Sequence, residues 1–386
     1  MLRTLLVLTL LGVHVAAARA ADPVFNPGVL HETRLVMDPA DWRALRENYR
    51  ENQYYSANVT IDGETVQQVG IRSRGAGSRN REKPGLKLDF NKYVQGQEFH
   101  GYKSMVLDNF AQDPSCLREH LAFLVFEAMG FPSPQNSFTR LYVNNEYWGL
   151  YGLVEPVSKP FLKARLGEES GNLFDYEPVS DYFFEWLGSD PDLYVPIPFQ
   201  PETNEGRLDT SGLIAFIRAA NLEPDETFES TIASFIDVDR LLRYVAVENA
   251  LAEYDGFVGQ YGMNNFYLYQ YGGQNRFVLI PWDKDGALQE HGWPLLSRLE
   301  ENVLIRRITR NPVKMQIYVD AVSEAVNSFV NPGWLQPKLD AAYALIRESV
   351  ILDKSRSFST EDFEIAVDGL SNIIETRQTD LLQQTR

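Results

Sequence analysis

Cysteine is almost absent. Cys116 is alone in 386 residues, so no intrachain disulfide staples this fold. Its apolar, helix-like surroundings read as a buried structural thiol rather than a reactive one. Histidine is also scarce: beyond the N-terminal stretch only His31, His100, His120 and His291 occur, scattered without the spacing of a zinc site. Past that stretch no apolar run approaches the roughly 18 residues a membrane helix needs, so no stable membrane insertion is expected. Basic residues are outnumbered, 36 Lys and Arg against 53 Asp and Glu, for a formal charge of −17. That excess argues against nucleic acid and anionic membrane as main partners. An anionic ligand would require a local basic pocket.

What is present begins with MLRTLLVLTLLGVHVAAARA: a basic start, a short apolar run and a small-residue exit at Ala18-Arg19-Ala20. This reads as a secretory leader over residues 1–20, cleaved after Ala20, with an uncleaved short anchor as the alternative. The expected location is secreted, or periplasmic at the cell envelope. Losing Arg3 and Arg19 leaves the mature chain two units more negative. The remainder is long enough for two lobes with sizeable cores.

Residues 21–156 read as β-rich. LHETRLVMD is strand-like, a helix follows around Pro39–Glu51, and Asp62-Gly63 supplies the left-handed turn of a hairpin. That hairpin ends in Arg74-Gly75-Ala76-Gly77-Ser78. LKLDF (86–90) and SMVLDNF (104–110) are further strands, and Ser115 to Met129 is a helix capped by Ser115 and stopped by Gly130. A second hairpin turns at Asn144-Asn145. Residues 157–206 form a connection whose acidic, aromatic, proline-rich part reads as an insert able to cover a cleft or receive a partner. Residues 207–386 are α-rich. The amphipathic segment 237–254 delivers Asp255, a hairpin spans 265–282, and helices lie around 313–331, 333–351 and 360–384.

Chemistry concentrates between Glu253 and Asp285: a carboxylate after a helix, an Asn pair opening a strand, then a strand running into two carboxylates. Protein kinases use the order catalytic Asp, metal-binding Asn, hairpin, metal-binding Asp. Phosphoryl transfer needs these types because one Asp orients the acceptor hydroxyl while an Asn oxygen and another Asp hold Mg²⁺ on the phosphates. Here Asp255 and Asn265 are ten positions apart, where H-R-D-x-x-x-x-N implies five, and neither HRD nor DFG occurs.

On this reading Asp255 is catalytic, with a plain turn before Gly256 as the bland alternative. Asn265, Asp283 and Asp285 are the metal candidates, with Asn264 as rival to Asn265 and Trp282 read as core. Arg74, Gly75, Gly77 and Ser78, flanked by Arg72 and Arg79, can cradle phosphate through backbone N–H groups and guanidinium forks; a tight turn would look the same. Lys87 stands opposite Leu86 and Leu88 on its strand, placed to hold phosphate oxygens, with Lys83 as the rival if the register differs. Glu119, in a helix's first turn, can orient that lysine or serve the helix dipole. Glu155 stands where a kinase chain crosses between lobes beside adenine, or is a surface Glu before Pro156.

IRSRGAGSRNREKPGLKLDF (71–90), LREHLAFLVFEAMGFPSP (117–134), LYVNNEYWGLYGLVEP (141–156), NNFYLYQY (264–271) and IPWDKD (280–285) occur in that order. Together they resemble the CotH (spore coat protein H) kinase family of secreted, atypical protein-kinase-like proteins. That family's RGNSS-like loop stands here as RGAGS, and its HN as NN. The resemblance implies an α+β, atypical protein-kinase-like fold with a β-rich N-lobe and an α-rich C-lobe. It implies ATP and Mg²⁺ (Mn²⁺ or Ca²⁺ outside the cytoplasm) as cofactors, and a secreted or envelope-associated protein as substrate. Three functions follow: transfer of the γ-phosphate to Ser or Thr of an exported protein, transfer of AMP by the same fold, or a non-catalytic coat or adhesive scaffold.

Overall fold

Alternation of buried and exposed side chains along Tyr55–Ile61 (β2) makes one face apolar and the other wet, the pattern of a strand in a sheet with one buried face. The computed structural model describes residues 23–290 and 292–384, so the leader expected over 1–20, and His291, lie outside the described residues. β2 turns through Asp62 and Gly63, both at positive φ, into β3 (Glu64–Arg74). β4 (Gly85–Asp89), β5 (Ser104–Asp108), β6 (Asn136–Val143) and β7 (Glu146–Val154) continue the sheet. The last two join at Asn144-Asn145, again both at positive φ, as a primed hairpin turn requires.

The leading strand β1 (Leu30–Met37) completes the sheet. It pairs antiparallel with β2 and parallel with β6, closing a seven-stranded barrel in the order β1-β2-β3-β4-β5-β7-β6. Closure leaves no free edge. Leu35, Val59, Ile71, Leu88, Leu107 and Leu141 fill the interior. The first helix, α1, is Pro39–Glu47, shorter than expected, and its N-terminus is capped by Asp38.

Helix α2 (Arg118–Ala128) begins three residues later than the sequence suggested: Leu117 rather than Ser115 is at its N-cap, and Asp113 just upstream takes the N–H groups there. The Asp113 carboxylate accepts from the backbone N–H of Ser115, Leu117 and Arg118. Residues 157–206 carry secondary structure of their own. After α3 (Lys159–Leu166) they supply strands β8 (Asn172–Tyr176) and β9 (Phe199–Pro201). With β10 (Phe266–Gln270) and β11 (Phe277–Pro281) these form a second sheet in the order β11-β10-β8-β9. Helices α4 (Ser211–Leu222), α5 (Asp225–Phe235), α6 (Val238–Ala250), α7 (Val303–Thr309), α8 (Pro312–Ser328), α9 (Gln336–Leu352) and α10 (Thr360–Gln384) build the remainder. Phe126 of α2 packs with its ring centroid 5.1 Å from that of Tyr244 of α6, so α2 shares the helical core. No helix among the described residues is long and apolar enough to cross a membrane.

Barrel and helices are pinned by a buried ion pair. Lys83 Nζ donates to Asp353 Oδ2 at 2.7 Å, with both side chains almost wholly buried. The same carboxylate accepts from Leu150 N of β7 and from Ser355 N. Lys83, the rival phosphate lysine, is therefore committed to structure. Lys83→Met, which strands the carboxylate, is expected to cost about 3–5 kcal/mol of stability. A fall in the urea midpoint without a change in slope would show it; an unmoved midpoint would deny the pair this role.

Candidate active site

Asp255 lies five residues beyond the end of α6, in a turn rather than on the helix. Its Oδ2 accepts from the side-chain amides of both Asn264 (3.0 Å) and Asn265 (3.2 Å). Both asparagines therefore serve Asp255, and each amide oxygen is left for another partner. Asn265 (φ 56°) and Asp283 (φ 50°) hold left-handed backbone, unusual for non-glycine residues and characteristic of functional sites. The amide of Trp282, next to Asp283, donates to the carbonyl of Asn265 at 3.3 Å, joining the two segments.

These residues line a cavity of about 540 Å³ together with Arg74, Gly75, Gly77, Ser78 and Asp285. Gly75 has φ +106°, and a Cβ there would collide with Ser78 Oγ, so glycine is required. The Gly77 position is open, with nothing within 4 Å of a would-be Cβ. Asn109 Nδ2 holds the loop through the carbonyls of Ser78 (3.0 Å) and Lys83 (2.8 Å). Arg79 donates to the carbonyls of Gly75 and Tyr49, and Arg72 to Asn52 and the Ser73 carbonyl. Those two arginines brace the loop, while Arg74 faces the cleft floor.

There the expected lysine–glutamate pair does not form as such. Glu119 has no ion pair with Lys87; the charges that act on it are those of Asp283, Asp108 and Arg74. Burial opposes the Arg74 charge, yet Asp283 and Asp108 more than offset it and hold the guanidinium above its ordinary value. Lys87 does face the cleft, but its neighbours are Arg72 and Glu202. Burial and Arg72 lower its pKa. Arg74 at the end of β3 thus takes the place foreseen for Lys87. Glu155 is turned away: its carboxylate accepts from Gln135 N (2.9 Å) and Arg165 Nη2 (3.0 Å). The following residues, Pro156 to Pro160, instead line an adjoining cavity of about 330 Å³ with Val106, Tyr267 and Trp282. Trp282 is therefore a cleft wall as well as core.

Asp108, Asp175, Glu202 and Glu253 escaped the sequence reading. Only their proximity in space marks them, because they come from β5, β8, the end of β9 and the α6 turn. The carboxylates of Asp108, Glu119, Asp283 and Asp285 are all raised, by burial first and then by crowding of like charge or the loss of water around them. For Asp283 burial is followed by Arg74, which opposes the rise, and by Asp255. Such a floor favours a cation. Asp283 and Asp285 carboxylates with the Asn265 amide oxygen fit a hard divalent ion that keeps water and phosphate ligands. Among the described residues no three His, Cys, Asp or Glu side chains form a closed metal cage.

Asp175 provides a pH handle. Burial, then Glu202 and Glu177, raise its carboxyl to about 8, while the Tyr267 hydroxyl donates to it. Because the folded state holds this proton more tightly, the group stabilises the fold fully below its unfolded pKa of about 3.9, and that contribution is lost as pH rises toward 8. In Asp175→Asn the decline of unfolding free energy between about pH 5 and pH 8 should flatten in urea titrations. An unchanged slope would remove Asp175 from the account.

Comparison with known proteins supplies the family. A family model described as CotH kinase protein matches residues 71–381. Inner spore coat protein H of Bacillus subtilis is 24% identical over 351 residues, covering 89% of this chain and 94% of that protein. Spore coat protein homolog 1 of Rhizopus delemar is 21% identical over 87% of this chain, and Invasin CotH3 of the same organism is 22% identical over 75%. The matches span 57% and 51% of those two longer relatives. The crystal structure of the Helicobacter pylori proinflammatory kinase CtkA has a TM-score of 0.31 and 11% identity, covering 78% of this chain and 95% of that one, too slight a likeness to locate residues. On the family match, which takes in the Gly-rich loop, Asp255 and the Asp283–Asp285 turn, the chain belongs to the CotH kinase protein family.

Proposed function

We propose that this protein is an atypical kinase that transfers the γ-phosphate of ATP to a Ser or Thr hydroxyl of an exported protein. One observation carries the reading: Asp255, Asn265, Asp283 and Asp285 share a cavity with Arg74 and a glycine loop that could not carry a side chain at Gly75. A second cavity, sharing Arg74 and Trp282 with the first, offers Tyr267, Val106 and Val157 as aromatic and apolar faces for a purine. Asp255 accepts two amide donors on Oδ2, which leaves Oδ1 to orient the acceptor O–H and receive its proton. Arg74, steadied by Glu119 and Asp108, binds phosphate oxygens, and the N–H groups around Gly75 to Ser78 cover them. Asn265, Asp283 and Asp285 would hold Mg²⁺, or Mn²⁺ or Ca²⁺ outside the cytoplasm. The ion supplies neutralisation of phosphate charge when bound. A secretory leader and a coat-protein relative support placing the substrate outside the cytoplasm, at the envelope or beyond.

A second reading, a coat or adhesive scaffold, draws support from relatives named as a spore coat protein and as an invasin. Its signature is nucleotide-dependent thermal stabilisation without turnover.

The deciding assay incubates the chain with γ-labelled ATP, a divalent metal and a protein acceptor. Asp255→Asn should lower kcat by about 10²–10⁴-fold, and Asp283→Ala should abolish metal-dependent transfer. No transfer with Mg²⁺, Mn²⁺ or Ca²⁺ would overturn the kinase reading, and transfer of an α-label would point to AMP instead. Arg74→Met should raise KM for ATP more than Lys87→Met does; the reverse order would return the phosphate-binding role to Lys87.

A further inference from the structure

Two Asp-Gly steps, Asp255-Gly256 and Asp285-Gly286, carry the carboxylates of the cleft. Behind each glycine lies a buried glutamate. Glu248, in the last turn of α6, is fully buried, and a Cβ at Gly256 would lie 2.6 Å from its carboxylate. Glu253 is 1% exposed, and a Cβ at Gly286 would collide with its Oε1. Neither glycine has positive φ, so space rather than backbone freedom demands them.

The glutamates also tie the turns together. Glu248 Oε2 accepts from Phe257 N at 2.9 Å, within the Asp255 turn. Its Oε1 accepts from Lys284 Nζ at 2.7 Å, within the other turn, and both side chains are 0% exposed. Glu253 Oε1 accepts from Asp255 N at 2.9 Å while backing Gly286. Lys284 stands between Asp283 and Asp285 yet points the opposite way, lying 5.8 Å from the ring centroids of Phe126 and Tyr244. A lysine buried between two cleft carboxylates has no reach to a ligand. Its ammonium is hydrogen-bonded to Glu248.

We propose that the Glu248–Lys284 ion pair is a positioning device that fixes the Asp255 turn and the Asp283–Asp285 turn in one relative geometry, and so sets turnover rather than nucleotide affinity. This rests on the phosphotransfer reading above, and the exchange measurement below separates the two. Glu248 and Lys284 touch no reacting atom. They act through Phe257 N, Gly256 and the backbone of the 283–285 turn. Displacing reacting groups by about 1 Å is enough to lower a rate some 10²-fold.

The test compares the parent chain, Lys284→Met, and the double variant Glu248→Gln/Lys284→Met. The double variant removes both charges of the pair together and keeps an acceptor for Phe257 N, so it should fold even where the single variant does not. Two readouts are taken: kcat and KM for ATP with γ-labelled ATP, and amide hydrogen exchange by mass spectrometry. The double variant should lose about 10²-fold in kcat with KM for ATP within about twofold of the parent. Exchange should quicken in both 253–265 and 282–288 while the barrel strands stay as in the parent. Parental kcat in a folded double variant would overturn the proposal, as would a double variant that fails to fold, since the pair would then serve stability alone. If the parent transfers no phosphate, the kinase reading fails, and exchange alone judges the pair. Quickening in both segments then upholds the coupling, and quickening in one or neither overturns it.

Discussion

Three carboxylates within electrostatic reach of one buried guanidinium, with a fourth beside them, are the constraint on which the rest of this structure turns. Asp108, Glu119 and Asp283 all face Arg74, with Asp285 beside them. Like charges in a partly dry cleft repel one another, and nothing local would hold them together. They stay because they are mounted on three firm elements: Asp108 at the end of β5, Glu119 in the first turn of α2, and Asp283 with Asp285 in the turn after β11. Helix α2 is itself fixed twice, by the Asp113 carboxylate at its N-terminus and by packing of Phe126 on Tyr244. The strain is visible at Asn265 and Asp283, whose left-handed backbone is tolerated because buried contacts on both sides leave no alternative.

That arrangement also explains why charge is distributed so unevenly. The surface is acidic overall, yet Arg72, Arg74, Arg79 and Lys87 are concentrated on one side of the cleft. Arg72 and Arg79 spend their donors on oxygens of residues 49–54, Ser73 and Gly75, while Arg74 and Lys87 face the cavities. Lys87 then meets Glu202, contributed by the segment that looked like an insertion. Strands β8 and β9 lie beside the β10–β11 hairpin, with Asp175 opposite Tyr267 in register. The segment therefore builds the cleft wall.

Two buried ion pairs divide the work of holding the halves. Lys83–Asp353 ties the stretch after the Gly-rich loop to the end of α9, and Lys284–Glu248 ties the two Asp-Gly turns to α6. Both join residues from different elements, and both exclude water. Neither is a cheap surface pair, since a charge removed from water is tolerated only with its partner in place.

The barrel strands, the β10–β11 hairpin, both left-handed hairpin turns and the three long C-terminal helices were legible in the sequence, because they follow from period-two alternation, Asp-Gly and Asn-Asn chemistry, and helical periodicity, whereas β8 and β9 were not. The ordered blocks from IRSRG to IPWDKD were enough to identify the family. That Asp255, Asn265, Asp283 and Asp285 stand at turns and strand ends was legible too, since a carboxylate or amide there is a local signal; that they line one cavity was not. Partnership was not. That Glu119 meets the charge of Arg74 and has no ion pair with Lys87, that Glu155 is spent on Arg165, that Asp113 rather than Ser115 takes the N–H groups at the start of α2, and that β1 closes the barrel against β6 all depend on pairings that no local pattern records. A sequence records which charges exist. Which opposite charge each one meets is decided only when burial removes water and forces every remaining charge to find a neighbour.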